Sequence, residues 1–269
     1  MEVNLLRGQY VVKVIYDAVE KSKASYVRNV HAEQIKLYLT DLSKCPRALW
    51  YSFRIPATIE THALLKMGLG DATHTYVQDL LKDAQVLVAK EKRFTKKRKG
   101  YTINGRVDAI IKNEQGEKEV LELKSIYAQG FSRVEEEPDQ AHVDQLYTYM
   151  IMNNIRVGRL VYIGRDNGRI VEYKIELCNA TDKDMKQAKK ELLAKFDNLY
   201  NIVKSETPPE RPFKLYIKKT GAGDKDYVLE FTDKGVRKST DWHCRYCSYA
   251  NECVKEIVQK MQAGEVAEI

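Results

Sequence analysis

The sequence predicts an α/β domain, and three features carry that prediction. Apolar runs separated by short turns form a meander between residues 86 and 126. Helical segments precede it, and a helix and two more strands follow it. The chain has 269 residues, which fits one large α/β domain or a domain with additions.

The elements read in order as follows. Leu5 to Ala24 has apolar residues at helical spacing and forms an N-terminal extension, residues 1–35. A helix containing Cys45 comes next, with Thr40 or Ser43 as its cap. Leu64 to Leu81 is compatible with a further helix. Strands then run from Val86 to Phe94, Tyr101 to Ile103, Val107 to Ile111 and Val120 to Ile126. Asn113-Glu114-Gln115-Gly116 supplies the turn before the last of these, and Gly116 is free to take positive φ. Glu135, Glu136 and Glu137 read as a loop before a helix that starts near Pro138 and covers Gln140 to Asn153. Arg159 to Gly164 and Ile170 to Leu177 are strands joined by the hairpin turn Arg165-Asp166-Asn167-Gly168. Thr181-Asp182-Lys183-Asp184 caps a long helix ending near Val203. Thr207 to Pro212 is linker-like, and residues 256–269 form a C-terminal helix or tail.

The chemistry concentrates between Gly105 and Lys124. Asp108 lies on one apolar strand, and Glu122-Leu123-Lys124 lies on the next. Charges on strands this apolar are expensive to bury unless they are paired or hold a metal. Side chains alternate along a strand, so Glu122 and Lys124 share a face, and strand pairing brings Asp108 to it. The Leu123 carbonyl is a further oxygen ligand. Hard oxygen ligands of this kind suit Mg²⁺ or Mn²⁺. Two carboxylates and a lysine on one face are the parts needed to hold such an ion and cut a phosphodiester.

This hairpin resembles that of the PD-(D/E)XK nuclease superfamily, in its RecB-like branch. Gly70-Asp71-Ala72-Thr73-His74 is similar to the family's G-x-x-x-H motif, and Gln145-Leu146-Tyr147-Thr148-Tyr149 to its Q-x-x-x-Y motif. Gln145 and Tyr149 stand at i and i+4, on one helix face. Cys45-Pro46-Arg47 followed by Ala48-Leu49-Trp50-Tyr51 resembles the segment that precedes the catalytic core. The resemblance implies a restriction-endonuclease-like core over residues 36–255, with a mixed central sheet flanked by helices. It implies that His74, Asp108, Glu122 and the Leu123 carbonyl hold the metal. It makes Lys124 the group that orients water or stabilises the oxyanion, with Gln145 and Tyr149 positioning Lys124 or the DNA.

Five cysteines occur, at 45, 178, 244, 247 and 253. The sequence shows no signal peptide or long apolar run, so a cytosolic protein without disulfides is expected. Cys178 reads as a small buried residue at a strand end. Cys244, Cys247 and Cys253 form C-x2-C-x5-C, and Cys45 makes four thiolates, enough for tetrahedral zinc or an iron–sulfur cluster. The resemblance implies a [4Fe–4S] cluster, as in the CRISPR-adaptation exonuclease family and the AddAB nuclease domain. Such a clasp would join the N- and C-terminal segments. It would close a loop of about 200 residues, an effect on the order of 5 kcal/mol. Trp242, Tyr246 and Tyr249 would shield it.

The net charge of +7 favours polyanions. The densest basic run, Lys90 to Gly100, adjoins the hairpin and could track a phosphate backbone. Lys186 to Lys195 and Lys214 to Lys219 add basic patches that read as solvated surface. The sequence shows no base-reading module, so contact without sequence specificity is expected. The resemblance implies a DNA exonuclease acting on single strands or overhangs, in CRISPR spacer-precursor processing beside the integrase. A phage or mobile-element recombination nuclease with the same core is the alternative. A non-catalytic iron–sulfur DNA-binding subunit and a zinc-clasped interaction domain are two others.

Overall fold

The computed structural model describes residues 10–21, 28–57, 61–212, 215–218, 227–232, 235–236, 247–249 and 252–253. They divide into two compact units. The larger takes in the described residues of 10–21, 32–43 and 61–200; the smaller takes in 28–31, 44–57 and the described residues after 200.

The larger unit is built on a mixed six-stranded sheet. Helix α1, Tyr10–Lys21, lies within the predicted span. Strand β1, Ile35–Tyr38, runs parallel to β3, Tyr101–Lys112. Strand β2, Leu87–Arg98, lies antiparallel along nearly the whole of β3. Strand β4, Lys118–Ile126, pairs antiparallel with β3, and the turn between them has Gly116 at φ 79°, as the sequence predicts. Strand β5, Val157–Gly164, is parallel to β4, and β6, Ile170–Glu176, is antiparallel to β5.

The register of β3 creates the feature that matters most. One edge of β3 is taken by β2. The opposite edge is shared: β1 pairs with Tyr101 to Asn104, and β4 pairs only with Ala109 to Lys112. Gly105, Arg106, Val107 and Asp108 therefore have no strand partner on that edge. A Cβ at Gly105 would fall 2.2 Å from Phe94 Cζ and 2.9 Å from Leu39 Cδ1, so any larger residue would have to displace those two side chains.

Helices cover both faces of the sheet. Helix α3, Thr61–Asp83, packs Val77 and Leu81 on Ala109, Ile111, Leu121, Leu123 and Ile163. Full burial of such a side chain contributes about 1.5–3 kcal/mol, and the partial burial of Val77 and Leu81 supplies a share of that toward holding α3 in place. Helix α5, Gln140–Asn153, lies against the opposite face. Asp139 caps α5 by accepting from Ala141 N. Helix α6, Asp182–Lys204, begins with the predicted capping exchange. Thr181 N donates to Asp184 Oδ2 at 2.8 Å, and Asp184 N donates to Thr181 Oγ1 at 3.3 Å.

Four expectations need correction. Tyr101–Ile103 and Val107–Ile111 belong to one continuous strand, because β2 supports β3 through the intervening turn-like residues. Glu135 and Glu136 are not in a loop; they end helix α4, Ala128–Glu136, which is anchored by buried Phe131 and Val134. Neither Thr40 nor Ser43 caps the Cys45 helix. They lie in a 3₁₀ turn, Leu39–Ser43, where Ser43 Oγ donates to the Thr40 carbonyl, and Cys45 itself takes the N-cap position of α2, Pro46–Ser52. Cys178 is exposed rather than buried, since it falls in the turn after β6 where no element covers it.

The smaller unit draws α2 and the chain after residue 200 together. Trp50 Nε1 donates to the Ser205 carbonyl at 2.9 Å. Arg54 donates to the Val203 and Ser205 carbonyls and lies 3.8 Å over the Trp50 ring. Arg47 Nη1 donates to the Pro209 carbonyl at 2.7 Å. Strands β7, Leu215–Lys218, β8, Tyr227–Thr232, and β9, Gly235–Val236, form a small antiparallel sheet.

Candidate active site and thiol group

The break in the β3–β4 ladder is where the charged residues meet. The last paired residues are Ala109 and Leu121. One step further the strands part, and Leu123 N donates to Asp108 Oδ2 at 2.8 Å instead of to a strand carbonyl. The N–H and C=O of one strand residue point to the same side, so the Leu123 carbonyl faces the same gap. His74 comes from α3, on the opposite face from α5. It reaches Asp108 where the strands part, with Nδ1 3.6 Å from Oδ2.

Glu122 is 2 % exposed and Asp108 is 7 % exposed. Glu122 Oε1 accepts from Lys124 Nζ at 2.7 Å, while Oε2 is buried with no hydrogen-bond partner. A buried oxygen left in this state is costly, which is the situation a cation relieves. Burial pushes the Glu122 carboxyl up to about 7, against the pull of Lys124. The His74 imidazole is raised, chiefly by its partnership with the Asp108 carboxylate.

A chain of side chains fixes Lys124. Its Nζ also donates to Gln145 Oε1 at 2.8 Å. Gln145 Nε2 donates to the Tyr149 hydroxyl at 3.3 Å, which aims the amide oxygen at the lysine. Burial raises the pKa of the Tyr149 hydroxyl, so it remains protonated. His142, one turn before Gln145, is held neutral by burial, its pKa lowered to about 4. The structure thus brings together His74, Asp108, Glu122, Leu123, Lys124, Gln145 and Tyr149. Among the described residues no three His, Cys, Asp or Glu side chains, at this site or among the thiols, are gathered closely enough to hold a metal ion as they stand, so an ion would have to draw its ligands together. The donors at the strand break form an open set of two carboxylates, one imidazole and one backbone carbonyl. Their hardness and the orphaned Glu122 oxygen fit a divalent cation.

Three nearby residues escaped the sequence reading. Gln78, one helical turn after His74, donates from Nε2 to the Asp108 carbonyl and to Glu91 Oε1, both at 2.9 Å. Glu91 stands in the left-handed region at φ 51°. Arg106 Nε lies 2.8 Å from Glu91 Oε2. The i, i+4 spacing of His74 and Gln78 was the available signal. Glu91 was hidden inside a basic run.

In the smaller unit, the Cys247 thiol is within electrostatic reach of both Cys45 and Cys253. Burial first, then the proximity of Cys45 and Cys253, raises the Cys247 thiol. Cys247 Sγ accepts from Tyr249 N at 3.4 Å. Tyr249 is buried, stacks on Tyr51 at 6.0 Å and packs with Trp50, Cys247 and Cys253. Arg211 Nη2 donates to the Cys253 carbonyl at 2.6 Å. Cys244, Trp242 and Tyr246 lie outside the described residues.

Comparison with known proteins agrees with this geometry. Residues 40–254 match the family model of the PD-(D/E)XK nuclease superfamily, and the chain belongs to that superfamily. It is 34 % identical over 149 residues to the CRISPR-associated exonuclease Cas4 of Saccharolobus solfataricus, a match covering 53 % of this chain and 69 % of that protein. Within the superfamily it is thus a Cas4-like nuclease. The crystal structure of SSO0001 shares its fold, with a TM-score of 0.52 at 22 % identity, over 89 % of this chain and 94 % of that one.

Proposed function

We propose that the chain is a divalent-metal-dependent DNA exonuclease of single strands or overhangs that processes CRISPR spacer precursors beside an integrase complex. The observation that carries the reading is the buried Glu122 carboxylate. One of its oxygens has no hydrogen bond, and it stands beside Asp108 and His74 where two strands part. The 34 % identity to a protein described as a CRISPR-associated exonuclease supports the exonuclease and CRISPR parts.

His74, Asp108, Glu122 and the Leu123 carbonyl would hold one or two Mg²⁺ or Mn²⁺ ions. Such an ion supplies Lewis-acid activation and neutralises charge on the phosphate. Lys124 stands ready to orient the attacking water or stabilise the developing oxyanion. Gln145 keeps the lysine in place, and Tyr149 keeps Gln145 in place. The basic run of β2 presents Lys92, Arg93, Lys96 and Lys97 as exposed residues for the DNA backbone. Residues 36–255 would carry the nuclease, with residues 1–35 as an extension and 256–269 as a tail, in the cytoplasm. No described helix is long and apolar enough to cross a membrane.

Cys45, Cys244, Cys247 and Cys253 would hold a [4Fe–4S] cluster that clasps the two chain segments. The support is the electrostatic influence of Cys45 and Cys253 on the Cys247 thiol and the packing of Cys247 and Cys253 against Trp50, Tyr51 and Tyr249. Iron and acid-labile sulfide at about four per chain, with visible absorbance, are expected. Stoichiometric zinc without such absorbance would replace the cluster with a tetrahedral zinc site.

The central test is digestion of single-stranded DNA labelled at either end, with Mg²⁺ and with Mn²⁺. Progressive loss of label from one end is expected. Measurable binding without products in either metal would reject the enzyme in favour of a binding subunit. Neighbouring integrase genes are expected; a neighbouring single-strand annealing protein would move the role to phage recombination.

A further inference from the structure

The residues between the strands contain a cation that the mechanism above does not use. Arg106 and Asp108 are two apart on β3, so they project to the same face. Arg106 lies on the unpaired stretch of the β3 edge, and its side chain is 52 % exposed. Its charge is felt at the buried Tyr149 hydroxyl, which places it beside the site. Its one charged partner among the described residues is Glu91, with Nε 2.8 Å from Oε2. That contact is not an aligned hydrogen bond, since Glu91 Oε2 is buried without one.

Glu91 is held with unusual care for a surface ion pair. Lys90 pairs with Ala109 and Lys92 with Val107, so Glu91 stands opposite Asp108. Its φ of 51° is rare for a residue with a side chain, and such strain gathers where the surroundings impose it. Its second oxygen accepts from Gln78, whose amide also donates to the Asp108 carbonyl. One amide therefore ties the backbone of Asp108 to the carboxylate that restrains Arg106. An exposed ion pair of ordinary kind needs neither a left-handed backbone nor a carboxylate with one oxygen buried and the other bonded to a neighbouring helix.

We propose that Arg106 is a phosphate-contacting residue at the mouth of the site and that Glu91, locked by Gln78, is the positioning residue that aims it. The guanidinium fork matches two phosphate oxygens, and its Nη donors make no hydrogen bond to protein among the described residues. The ligand is the phosphodiester backbone of the strand being cut. This inference rests on the nuclease reading and deepens it.

The test uses the full chain and a labelled single-stranded oligonucleotide in Ca²⁺, read as affinity across a salt series. Each phosphate contact on single strands contributes a slope of about 0.7 in log K against log salt. Arg106→Gln is expected to lower the slope by about 0.7, and Lys118→Gln, on the distant β3–β4 hairpin, to leave it unchanged. Arg106→Lys is expected to keep the slope and still raise KM, because the fork is lost. With Mg²⁺ or Mn²⁺, Glu91→Gln is expected to raise KM several-fold with kcat little changed, and to add nothing on top of Arg106→Gln. An unchanged slope in Arg106→Gln, or additive effects in the double variant, would overturn the proposal. Should Arg106→Gln fold poorly, Arg106→Lys with wild-type KM overturns it equally. Failure of the wild-type protein to cut in either metal would sink the nuclease reading instead, and the salt slope would still report on Arg106.

Discussion

Glu122 is built at the expense of stability, and replacing it by glutamine should reveal how much. Its carboxyl is raised from the ordinary 4.5 to about 7 by burial. The folded state therefore holds a proton that the unfolded state has lost between those two values. Stability is fully present below 4.5 and declines as pH rises through 7. The ionised form is disfavoured by about 3 kcal/mol, at 1.36 kcal/mol for each tenfold change. Gln keeps an oxygen for Lys124 Nζ and carries no charge. In EDTA at pH 8, Glu122→Gln should thus be the more stable protein by about 3 kcal/mol, a rise in melting midpoint on the order of 5–10 °C. Near pH 5 the advantage should shrink below about 1 kcal/mol. Cutting should fall by at least about two decades. The assay is thermal melting of both proteins in EDTA at the two pH values, with digestion in Mn²⁺ alongside. A stability gap that does not change with pH, or a wild-type protein more stable than the variant at pH 8, would refute the reasoning.

Other outcomes follow from the same geometry. Lys124→Ala should lose about 10²–10³ in rate while melting near the wild-type temperature; retained cutting would remove the lysine from the mechanism. Protection by Mn²⁺ in a melting assay should grow as pH rises from about 6 to 8, because Glu122 must lose its proton and the raised His74 must be neutral to bind. Protection that is flat or falling over that range would argue against these ligands. Cys45→Ser and Cys253→Ala should each give colourless protein with a lowered melting midpoint, read by absorbance and calorimetry. Full colour and stability in either would take that thiol out of the ligand set.

The parts of the site that chemistry ties to fixed spacing were legible in the sequence. Glu122 and Lys124 must be two apart to share a strand face, and Gln145 and Tyr149 four apart to share a helix face. The Gly116 turn and the Thr181 cap were equally local. The strand break was not legible, because it depends on where β1 lands. A four-residue parallel strand some 60 positions upstream decides which edge residues of β3 remain bare. Helix α4 was missed because its own signals are weak. Tyr127 gives no side-chain cap, Gly130 lies within it, and burial of Phe131 and Val134 holds it. Glu91 was missed because its neighbours Lys90, Lys92 and Arg93 point to solvent, whereas Glu91 accepts a hydrogen bond from Gln78, on helix α3.

The break in the ladder also explains why the residues at the site have structural duties. Parting the strands leaves buried backbone groups that must find partners. Leu123 N finds the Asp108 carboxylate, and the Asp108 carbonyl finds the Gln78 amide. Asp108 is thus both a metal ligand candidate and a substitute for a missing strand. Its two roles separate by choice of substitution. Asp108→Asn retains an oxygen for Leu123 N and removes the charge, so it should abolish cutting while melting at or above the wild-type temperature. Asp108→Ala leaves that buried N–H without a partner, which costs about 1–3 kcal/mol, so it should be inactive and less stable than the Asn variant. Melting curves of the two inactive proteins in EDTA make the comparison. Equal stability of Ala and Asn would mean that the strand break is bridged by something other than the Asp108 side chain.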